Sequence, residues 1–247
     1  MKVRKLFAIL MVALSVTTIS AQEKIVYGGI GLPNGKFAGD ESNELVFPSG
    51  GKEGGAALGL NVGFKMLQPI SPELSWFVSA DIFYNGLHSD IKDDIEDAFD
   101  DVDKMPAYIN VPVMGGVNYS IAELGTGIKL FAEAGLGLNF RYVNPWSFSY
   151  EDTEYISGVG NVDYEAEVEY TFDTKFLVAY QIGAGLKIND QFTVGLNYYS
   201  LGSDKVSWNY KAEIDIDGVG SDTEKDDGKS NKKLSASLLA IRVGFVF

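Results

Sequence analysis

Large apolar residues alternate with small or polar residues along most of this chain, and this period of two constrains the fold more than any other feature. Between residues 128 and 142, one face collects Ile128, Leu130, Ala132, Ala134, Leu136, Leu138, Phe140 and Tyr142. Successive side chains of a β-strand point to opposite sides, whereas a helix would scatter these residues around its axis. The pattern therefore predicts strands whose two faces meet different surroundings.

Eight segments carry this alternation and predict eight strands. They lie at about 25–32, 56–67, 76–86, 107–120, 128–142, 176–188, 192–201 and 239–247. Most are close to the roughly 9–11 residues that a tilted strand needs to cross a bilayer. The first segment is short and rich in glycine, so the alternation leaves open which of its faces points outward.

The chemistry of the two faces separates a membrane barrel from a soluble sandwich. In residues 56–67 the face opposite Leu58, Leu60 and Val62 carries Ala57, Gly59, Asn61, Gly63 and Lys65. The outer face of a sandwich meets water, and it would be rich in Lys, Glu and Thr. Glycine instead suits the crowded interior of a narrow barrel, with the large apolar side chains facing lipid. We therefore predict an all-β fold, a closed eight-stranded antiparallel transmembrane β-barrel.

The connections between the predicted strands favour the same fold. Those around 71–73, 122–126 and 189–191 are short, whereas those at 33–55, 87–106, 143–175 and 202–233 are long. Bacterial barrels have short periplasmic turns and long extracellular loops. With eight strands, both termini are then expected in the periplasm.

The N-terminus has the pattern of a secretory signal. Lys2, Arg4 and Lys5 precede an apolar run that ends at Ile19, and Ala21 stands at the expected cleavage point. A charged start, about 7–15 apolar residues and a small residue at the cut define such a signal. The alternative, an uncleaved membrane anchor, would need about 20 apolar residues. We predict that residues 1–21 are removed and that residues 22–247 form one barrel domain.

Aromatic residues mark the predicted strand ends. Phe245 and Phe247 share the apolar face of the last strand, as in the assembly signal that the outer-membrane insertion machinery reads. Other aromatic residues fall near the short turns (Trp76, Tyr119, Phe192) or near the long loops (Tyr84, Tyr108, Tyr142, Trp146). Two aromatic girdles at the membrane interfaces are typical of outer-membrane barrels.

Four of these features together resemble a known family. They are the signal, the glycine-rich alternating strands, the terminal phenylalanine and the segment Tyr108-Ile109-Asn110-Val111-Pro112-Val113-Met114-Gly115. The chain resembles the PorT-type outer membrane protein β-barrel family, and in architecture it is similar to the OmpA and OmpX barrels. The resemblance covers the whole mature chain. It implies an outer-membrane barrel and, as one candidate function, a part in protein secretion.

Charged residues on the inward faces form the candidate site. The alternation turns seven of them towards the lumen: Lys65, Asp81, Lys129, Glu133, Arg141, Lys187 and Arg242. An isolated buried charge costs several kcal/mol, so these side chains should pair. Because five are basic and two acidic, a loop must supply a carboxylate or a base must reach water at the rim. Eight strands leave an interior just wide enough for side chains to fill, which predicts a packed polar lumen; a narrow conduit is the alternative.

The long connections carry much of the acid. Residues 90–103 also hold Ile91, Ile95, Ala98, Phe99 and Val102 at helical spacing, which predicts a short amphipathic helix over the barrel mouth. Residues 162–170 and 206–217 alternate and predict strands that continue above the membrane. An exposed strand edge can pair with another chain, so a surface protein is a candidate partner. A divalent-cation site is a second candidate function of these connections, with Asp215, Asp217 and the acidic run 222–227 as its ligands, although no segment matches the EF-hand loop.

Composition excludes several classes of function. Removing the three basic residues of the signal takes the formal net charge from −14 to −17, which does not suit nucleic-acid binding. The chain has no cysteine, and its single histidine, His88, is not accompanied by a G-x-S-x-G motif. We expect a non-enzymatic barrel without a cofactor, held in outer-membrane lipid and lipopolysaccharide, with a structural or surface-binding role. A narrow channel or secretion accessory is the alternative, and a lipid-modifying enzyme is the third.

Overall fold

A computed structural model of the chain describes residues 22–39, 45, 51, 53–99, 101–156, 160–216 and 220–247. The predicted signal, residues 1–21, lies outside the described residues. The strands are β1 (Glu23–Pro33), β2 (Gly59–Pro69), β3 (Leu74–Gly86), β4 (Asp101–Lys104), β5 (Ala107–Glu123), β6 (Ile128–Val143), β7 (Trp146–Ile156), β8 (Gly160–Phe172), β9 (Lys175–Ile188), β10 (Phe192–Ile216) and β11 (Gly220–Val246). A 3-10 turn spans Gly35–Phe37, and helix α1 spans Ser89–Ala98. Neither of these two described helices has the length and apolar character needed to cross a membrane.

Eight of the strands form a ring. Their order is β1-β2-β3-β5-β6-β9-β10-β11, and β11 pairs antiparallel with both β10 and β1. The backbones of Lys24 and Phe247 exchange two hydrogen bonds of 3.1 and 2.9 Å. The amide of Val246 also donates to the carbonyl oxygen of Gln191 in the turn before β10. Both ends of the described chain therefore lie at the end of the ring that carries the short turns.

The outward face of the ring is apolar along its whole circumference. Val26, Leu60, Leu136 and Val178 are exposed on four different strands. The alternation left open which face of β1 points outward. In the structure Val26 is exposed on the outward face, while Tyr27 points inward and is buried. A ring of this kind buries polar side chains and displays apolar ones, the reverse of a soluble domain.

The sheet has eleven strands, which corrects the prediction of eight: the long connections at 143–175 and 202–233 are largely built of strands. β7 and β8 form a hairpin within the first of these connections, and β10 and β11 extend to 25 and 27 residues through the second. Beyond the ring, the strands continue as a second part of the sheet in the order β11-β10-β8-β7-β4, here called the upper sheet. Strand pairing satisfies backbone hydrogen bonds of these connections.

The predicted strands at 162–170 and 206–217 correspond to β8 and to the upper half of β10, which pair in register from Trp208 opposite Phe172 to Ile216 opposite Tyr164. Asp217 lies outside the described residues. These strands continue away from the ring, beyond the part of β10 that pairs with β9.

The predicted helix over the mouth is shorter than residues 90–103. It ends at Ala98, and Asp101–Lys104 form strand β4 against β7. Ile91 and Ile95 are buried in the core at the mouth, and Phe99 packs against the same core after the helix has ended. The apolar spacing located the buried side, but the pairing of residues 101–104 with β7 ended the helix early.

Two of the predicted girdle residues were assigned wrongly. Trp76, Tyr119 and Phe192 are exposed on the outward face near the short turns, and Tyr84 is exposed near the other end. Tyr108 and Trp146 are instead buried. Tyr108 points inward, and its hydroxyl donates to the carbonyl oxygen of Gly54. The prediction failed because the position of a residue along a strand does not decide which face of the strand its side chain is on.

Candidate functional site

Two carboxylates and two bases meet inside the ring. The Nζ atom of Lys65 lies 2.7 and 2.5 Å from the two carboxylate oxygens of Glu133. The guanidinium of Arg242 joins both acids, with Nη2 3.2 Å from Glu133 Oε1 and Nη1 3.3 Å from Asp81 Oδ1. The two acidic side chains are fully buried and the two basic side chains are 6% exposed. We call these four residues the ion cluster; their formal charges cancel.

The ion cluster draws its members from four separate strands. Lys65 is on β2, Asp81 on β3, Glu133 on β6 and Arg242 on β11. Each occupies an inward position of the alternation, and the interior of an eight-stranded ring is narrow enough for long side chains to meet across it. The charges are therefore brought together by ring closure and not by proximity in sequence.

Neutral polar residues complete the hydrogen bonding of the cluster. The hydroxyl of Tyr199 donates to Asp81 Oδ2 at 3.2 Å and accepts from Arg242 Nη1 at 2.6 Å. The side-chain amide of Asn197 donates to Glu133 Oε1 at 2.6 Å. Buried charges are tolerated when they are paired and hydrogen-bonded in this way. Tyr199 and Asn197 were not among the predicted lumen residues, although their odd positions on β10 share the inward face.

The guanidinium of Arg242 also contacts an aromatic ring, since it lies 4.4 Å from the ring centroid of Tyr27. The Nζ atom of Lys65 lies 4.9 Å from the ring centroid of Phe77. Cations in a dry site gain from contact with the face of an aromatic ring. The interior thus contains large aromatic side chains as well as the glycine, alanine and asparagine that the alternation indicated.

Two of the other predicted lumen residues lie at the rim with the short turns. Lys129 Nζ is 3.0 Å from Asp190 Oδ1, and Lys187 Nζ is 2.6 Å from Glu23 Oε1 and 3.2 Å from Asp190 Oδ1. Asp190 belongs to the turn between β9 and β10, and its pKa is lowered because its carboxylate accepts hydrogen bonds from Lys129 and Lys187. The structure therefore separates these two bases from the ion cluster and pairs them with carboxylates of the turn and of β1.

Arg141 is the seventh predicted residue, and the structure places it towards the other end of the ring. It is buried, and its Nη1 atom lies 3.5 Å from the backbone carbonyl oxygen of Leu234. Asn139, two residues earlier on the same face, donates to Asn110 at 2.8 Å and to the carbonyl oxygen of Leu201 at 3.0 Å. This upper polar layer is distinct from the ion cluster.

An apolar core lies above these polar residues, at the end of the ring opposite the short turns. Its fully buried members include Phe37, Leu87, Ile91, Tyr108, Leu201 and Leu234, and we call this group the mouth plug. The rings of Phe37 and Tyr108 meet edge to face at a centroid distance of 5.0 Å. The plug is built from the 3-10 turn after β1, the start of α1 and the upper parts of the ring strands, so segments distant in sequence fill the mouth together.

A cavity of about 550 Å³ lies on the opposite side of the ion cluster. Its walls run from Glu23 and Lys187 at the short-turn rim to Lys65, Glu133 and Arg242. The described interior is therefore open to solvent from the short-turn end as far as the ion cluster, and it is filled from there to the mouth plug.

The carboxylates proposed as cation ligands are not arranged as a metal centre in the described structure. Among the described residues, no group of three or more His, Asp or Glu side chains is placed to hold a metal ion. Asp215 lies on β10 and Asp222 on β11, where the register places Asp215 opposite Ser221. Adjacent carboxylates on a flat sheet point in parallel, whereas Ca²⁺ needs oxygens that surround it.

A ring of antiparallel strands with an apolar outer face and a polar inner face is the architecture of outer-membrane β-barrels. The comparison with family models agrees: the model described as "Outer membrane protein beta-barrel domain" matches residues 25–202. The chain belongs to this family, and its all-β, antiparallel structure is an outer-membrane barrel fold. A search of the curated proteins finds no match.

Several solved structures are similar to the chain. A major outer membrane protein from Thermus thermophilus is 12% identical, with 92% of this chain and 100% of that chain covered and a TM-score of 0.46. OprG from Pseudomonas aeruginosa is 13% identical, with 92% and 96% covered and a TM-score of 0.40. AlkL, solved in lipid bilayers, is 10% identical, with 94% and 93% covered and a TM-score of 0.38.

Proposed function

We propose that this chain is a closed, non-conducting eight-stranded barrel of the outer membrane that presents the upper sheet at the cell surface for binding. One observation carries the proposal: the described interior is filled at two levels, by the ion cluster and by the mouth plug, while the upper sheet stands beyond the ring. A lumen filled with packed side chains stabilises a barrel but leaves no water path through it.

A change in the exposed residues along β10 supports a surface role for the upper sheet, because it indicates where the strand leaves the membrane. On β10 the outward residues Val194 and Leu196 are exposed and apolar, whereas further along the same strand Glu213 and Asp215 are exposed and acidic. Lipid excludes exposed carboxylates, so this change marks where the strand leaves the bilayer. The length of strand beyond the change is available for contact with other molecules.

We propose further that the upper sheet is extracellular and that both termini are periplasmic. The short turns and both described chain ends share one end of the ring, which is the periplasmic arrangement in bacterial barrels. In this orientation the outer-membrane insertion machinery meets Phe245 and Phe247 from the periplasm, and lipopolysaccharide surrounds the upper part of the ring.

Conductance in a planar bilayer tests the sealed lumen. We expect purified full-length protein to give no ion current beyond that of protein-free membrane. The matched control is Lys36→Ala, an exposed change outside the lumen, which should behave like the unmodified chain. Stable single-channel steps from the unmodified protein would contradict the proposal.

A narrow channel is the second candidate, and the cavity of about 550 Å³ at the short-turn end favours it. The cavity already opens the lower part of the lumen, with Glu133 at its inner end. If the ion cluster alone separated the cavity from the outside, Glu133→Ala would create a current. We expect no current, because the mouth plug still blocks the path.

Membership of the PorT-type subgroup, with a part in secretion, is a further alternative. It rests on the resemblance carried by the signal, the glycine-rich alternating strands, the terminal phenylalanine and residues 108–115. Loss of secreted proteins from the medium of cells lacking this chain would favour that alternative.

We propose that the chain performs no catalysis. A change in the lipid A or phospholipid species of cells lacking this chain would contradict this proposal.

A further inference from the structure

Two lysine residues lie side by side on the outer surface, above the apolar part of the ring. Lys205 on β10 is directly opposite Lys233 on β11, and both side chains are exposed. Among the described residues, neither ammonium group has a carboxylate within salt-bridge distance. Like charges directly opposite each other on a sheet are destabilising, so an anion from outside the chain would stabilise this pair.

A β-bulge at Gly202 directs Lys205 to this surface. The pairing with β11 advances by three residues on β10, from Ser200 to Ser203, while β11 advances by two, so β10 holds one extra residue. Gly202 has a φ of 91°, a backbone conformation that favours glycine. Such an extra residue exchanges the two faces of a strand. Even-numbered residues such as Leu196 therefore point outward below the bulge, and odd-numbered residues such as Lys205 point outward above it.

The bulge also keeps the neighbouring carboxylate away from this surface. Asp204 lies on the opposite face, since its cross-strand partner is the fully buried Leu234, and its carboxylate is 3.9 Å from the Nζ atom of Lys175. Without the extra residue, Asp204 would point outward and Lys205 inward. Protection of a sheet edge can account for lysine residues on the outer strand β11, but Lys205 lies one strand further in, on β10.

Two hydroxyl groups lie beside the lysine pair on the same face. Ser203 and Ser235 are exposed and directly opposite each other, and Ser235 Oγ donates to Ser203 Oγ at 2.8 Å. Each serine is two residues from a lysine, and residues two apart in a strand share a face. The serine pair has two hydroxyl hydrogens and uses one, so the other can be donated to a ligand. Ammonium groups and hydroxyls are the donors with which proteins commonly bind phosphate oxygens.

The lysine pair lies at the level of the lipid headgroups. Phe247, just after β11, is exposed at the short-turn end, and Val243 and Ile241 continue the apolar surface above it. With a rise of about 3.3 Å per residue and a strand tilt of about 40°, Lys233 lies about 35 Å above Phe247. The apolar band of such a barrel is about 25 Å tall, and a bilayer with both headgroup layers measures about 40–45 Å. The two ammonium groups therefore lie above the hydrocarbon, and lysine side chains can bend towards the headgroups.

We propose that Lys205, Lys233 and the serine pair Ser203–Ser235 bind a phosphate group of an outer-leaflet glycolipid of the lipopolysaccharide type. The phosphate neutralises the lysine pair, and the acyl chains of the same lipid cover the apolar surface below it. A free phosphate ion has the same oxygens but no chains, so the continuity of the site with the apolar surface favours the lipid. This inference rests on the proposed extracellular position of the upper sheet and names a lipid site at its base.

The probe is lipid A that carries two phosphates, added to the full mature chain in detergent micelles and followed by native mass spectrometry. We expect saturable binding of this lipid. The same lipid without its phosphates should bind at least about tenfold more weakly, because it cannot accept the charge-assisted hydrogen bonds of the lysine pair. Inorganic phosphate at the same concentration should not displace the phosphorylated lipid.

Matched double variants locate the site. Lys205→Gln with Lys233→Gln should weaken binding of the phosphorylated lipid at least about tenfold. The control is Lys92→Gln with Lys225→Gln, which removes the same two charges elsewhere on the long-loop side and should change the affinity by less than about twofold. Lys205→Arg with Lys233→Arg should retain binding, because a guanidinium also binds phosphate. Altered migration on unheated gels shows that each variant is folded.

Five results would overturn the inference. They are absence of binding, equal binding of the phosphate-free lipid, displacement by inorganic phosphate, loss of binding in the arginine pair, and the same loss of affinity in both glutamine pairs. The last result would indicate a general attraction between an anionic lipid and the lysine residues of the protein. Labelling of intact cells at the short-turn end alone would instead refute the extracellular position of the upper sheet, and it would leave the affinities measured in micelles unchanged.

Discussion

Removal of the Glu133 carboxylate is the perturbation that bears most directly on the sealed interior. Glu133 contacts Lys65 and Arg242, and no other carboxylate lies within salt-bridge distance of Lys65 among the described residues. In Glu133→Ala, Arg242 keeps Asp81, but Lys65 is left as a buried charge without a partner. Breaking a buried pair in this way costs about 3–5 kcal/mol. We expect a loss of that size in the free energy of unfolding.

The assay is unfolding by urea in lipid vesicles, followed by tryptophan fluorescence. Glu167→Ala is the control, since it removes the same carboxylate from the exposed face of the upper sheet and should change stability by no more than about 0.5 kcal/mol. The double variant Lys65→Met with Glu133→Gln removes both charges, and it should recover most of the loss because no uncompensated charge remains. Equal stabilities of Glu133→Ala and Glu167→Ala would refute the reasoning, because they would show that the charge of Lys65 is compensated without the Glu133 carboxylate.

Three further predictions follow from other parts of the structure. A Cβ atom on Gly137 would lie 1.9 Å from the carbonyl oxygen of Val113, so Gly137→Ala should reduce the yield of refolded barrel on unheated gels, whereas Gly115→Ala, with its nearest contact at 3.9 Å, should not. On intact cells, a membrane-impermeant maleimide should label Asp226→Cys and not Asp190→Cys; the reverse result would invert the topology. Asp190→Asn should cost less than about 1 kcal/mol at neutral pH, because its ion pairs are largely exposed. The pKa of Asp190 is lower in the folded than in the unfolded protein. Its ion pairs therefore stabilise the fold at pH values above the unfolded pKa, and this stabilisation is lost as the pH falls through the folded pKa. The variant and the parent should accordingly have the same free energy of unfolding in acid.

The alternation of the sequence determined the ring and the direction of most side chains. The predicted strand at 128–142 corresponds to β6, Ile128–Val143, and the predicted strand at 176–188 to β9, Lys175–Ile188. This succeeds because a period of two is a local property: each residue's side follows from its neighbours once one face meets lipid. Short connections were equally readable, since a turn between adjacent antiparallel strands needs only a few residues.

The contacts between strands were decided by the tertiary structure alone. The sequence placed Lys65, Glu133, Lys187 and Arg242 on inward faces without distinction, but ring closure and strand stagger put Lys187 at the rim and the other three in the ion cluster. Tyr108 was wrongly assigned to the membrane interface for a similar reason. The sequence indicates that it lies near the end of its strand, but it does not indicate which residues surround it inside the ring. Within the ion cluster, Arg242 pairs with Asp81 across 161 positions of the sequence, and no local pattern in the chain records that separation.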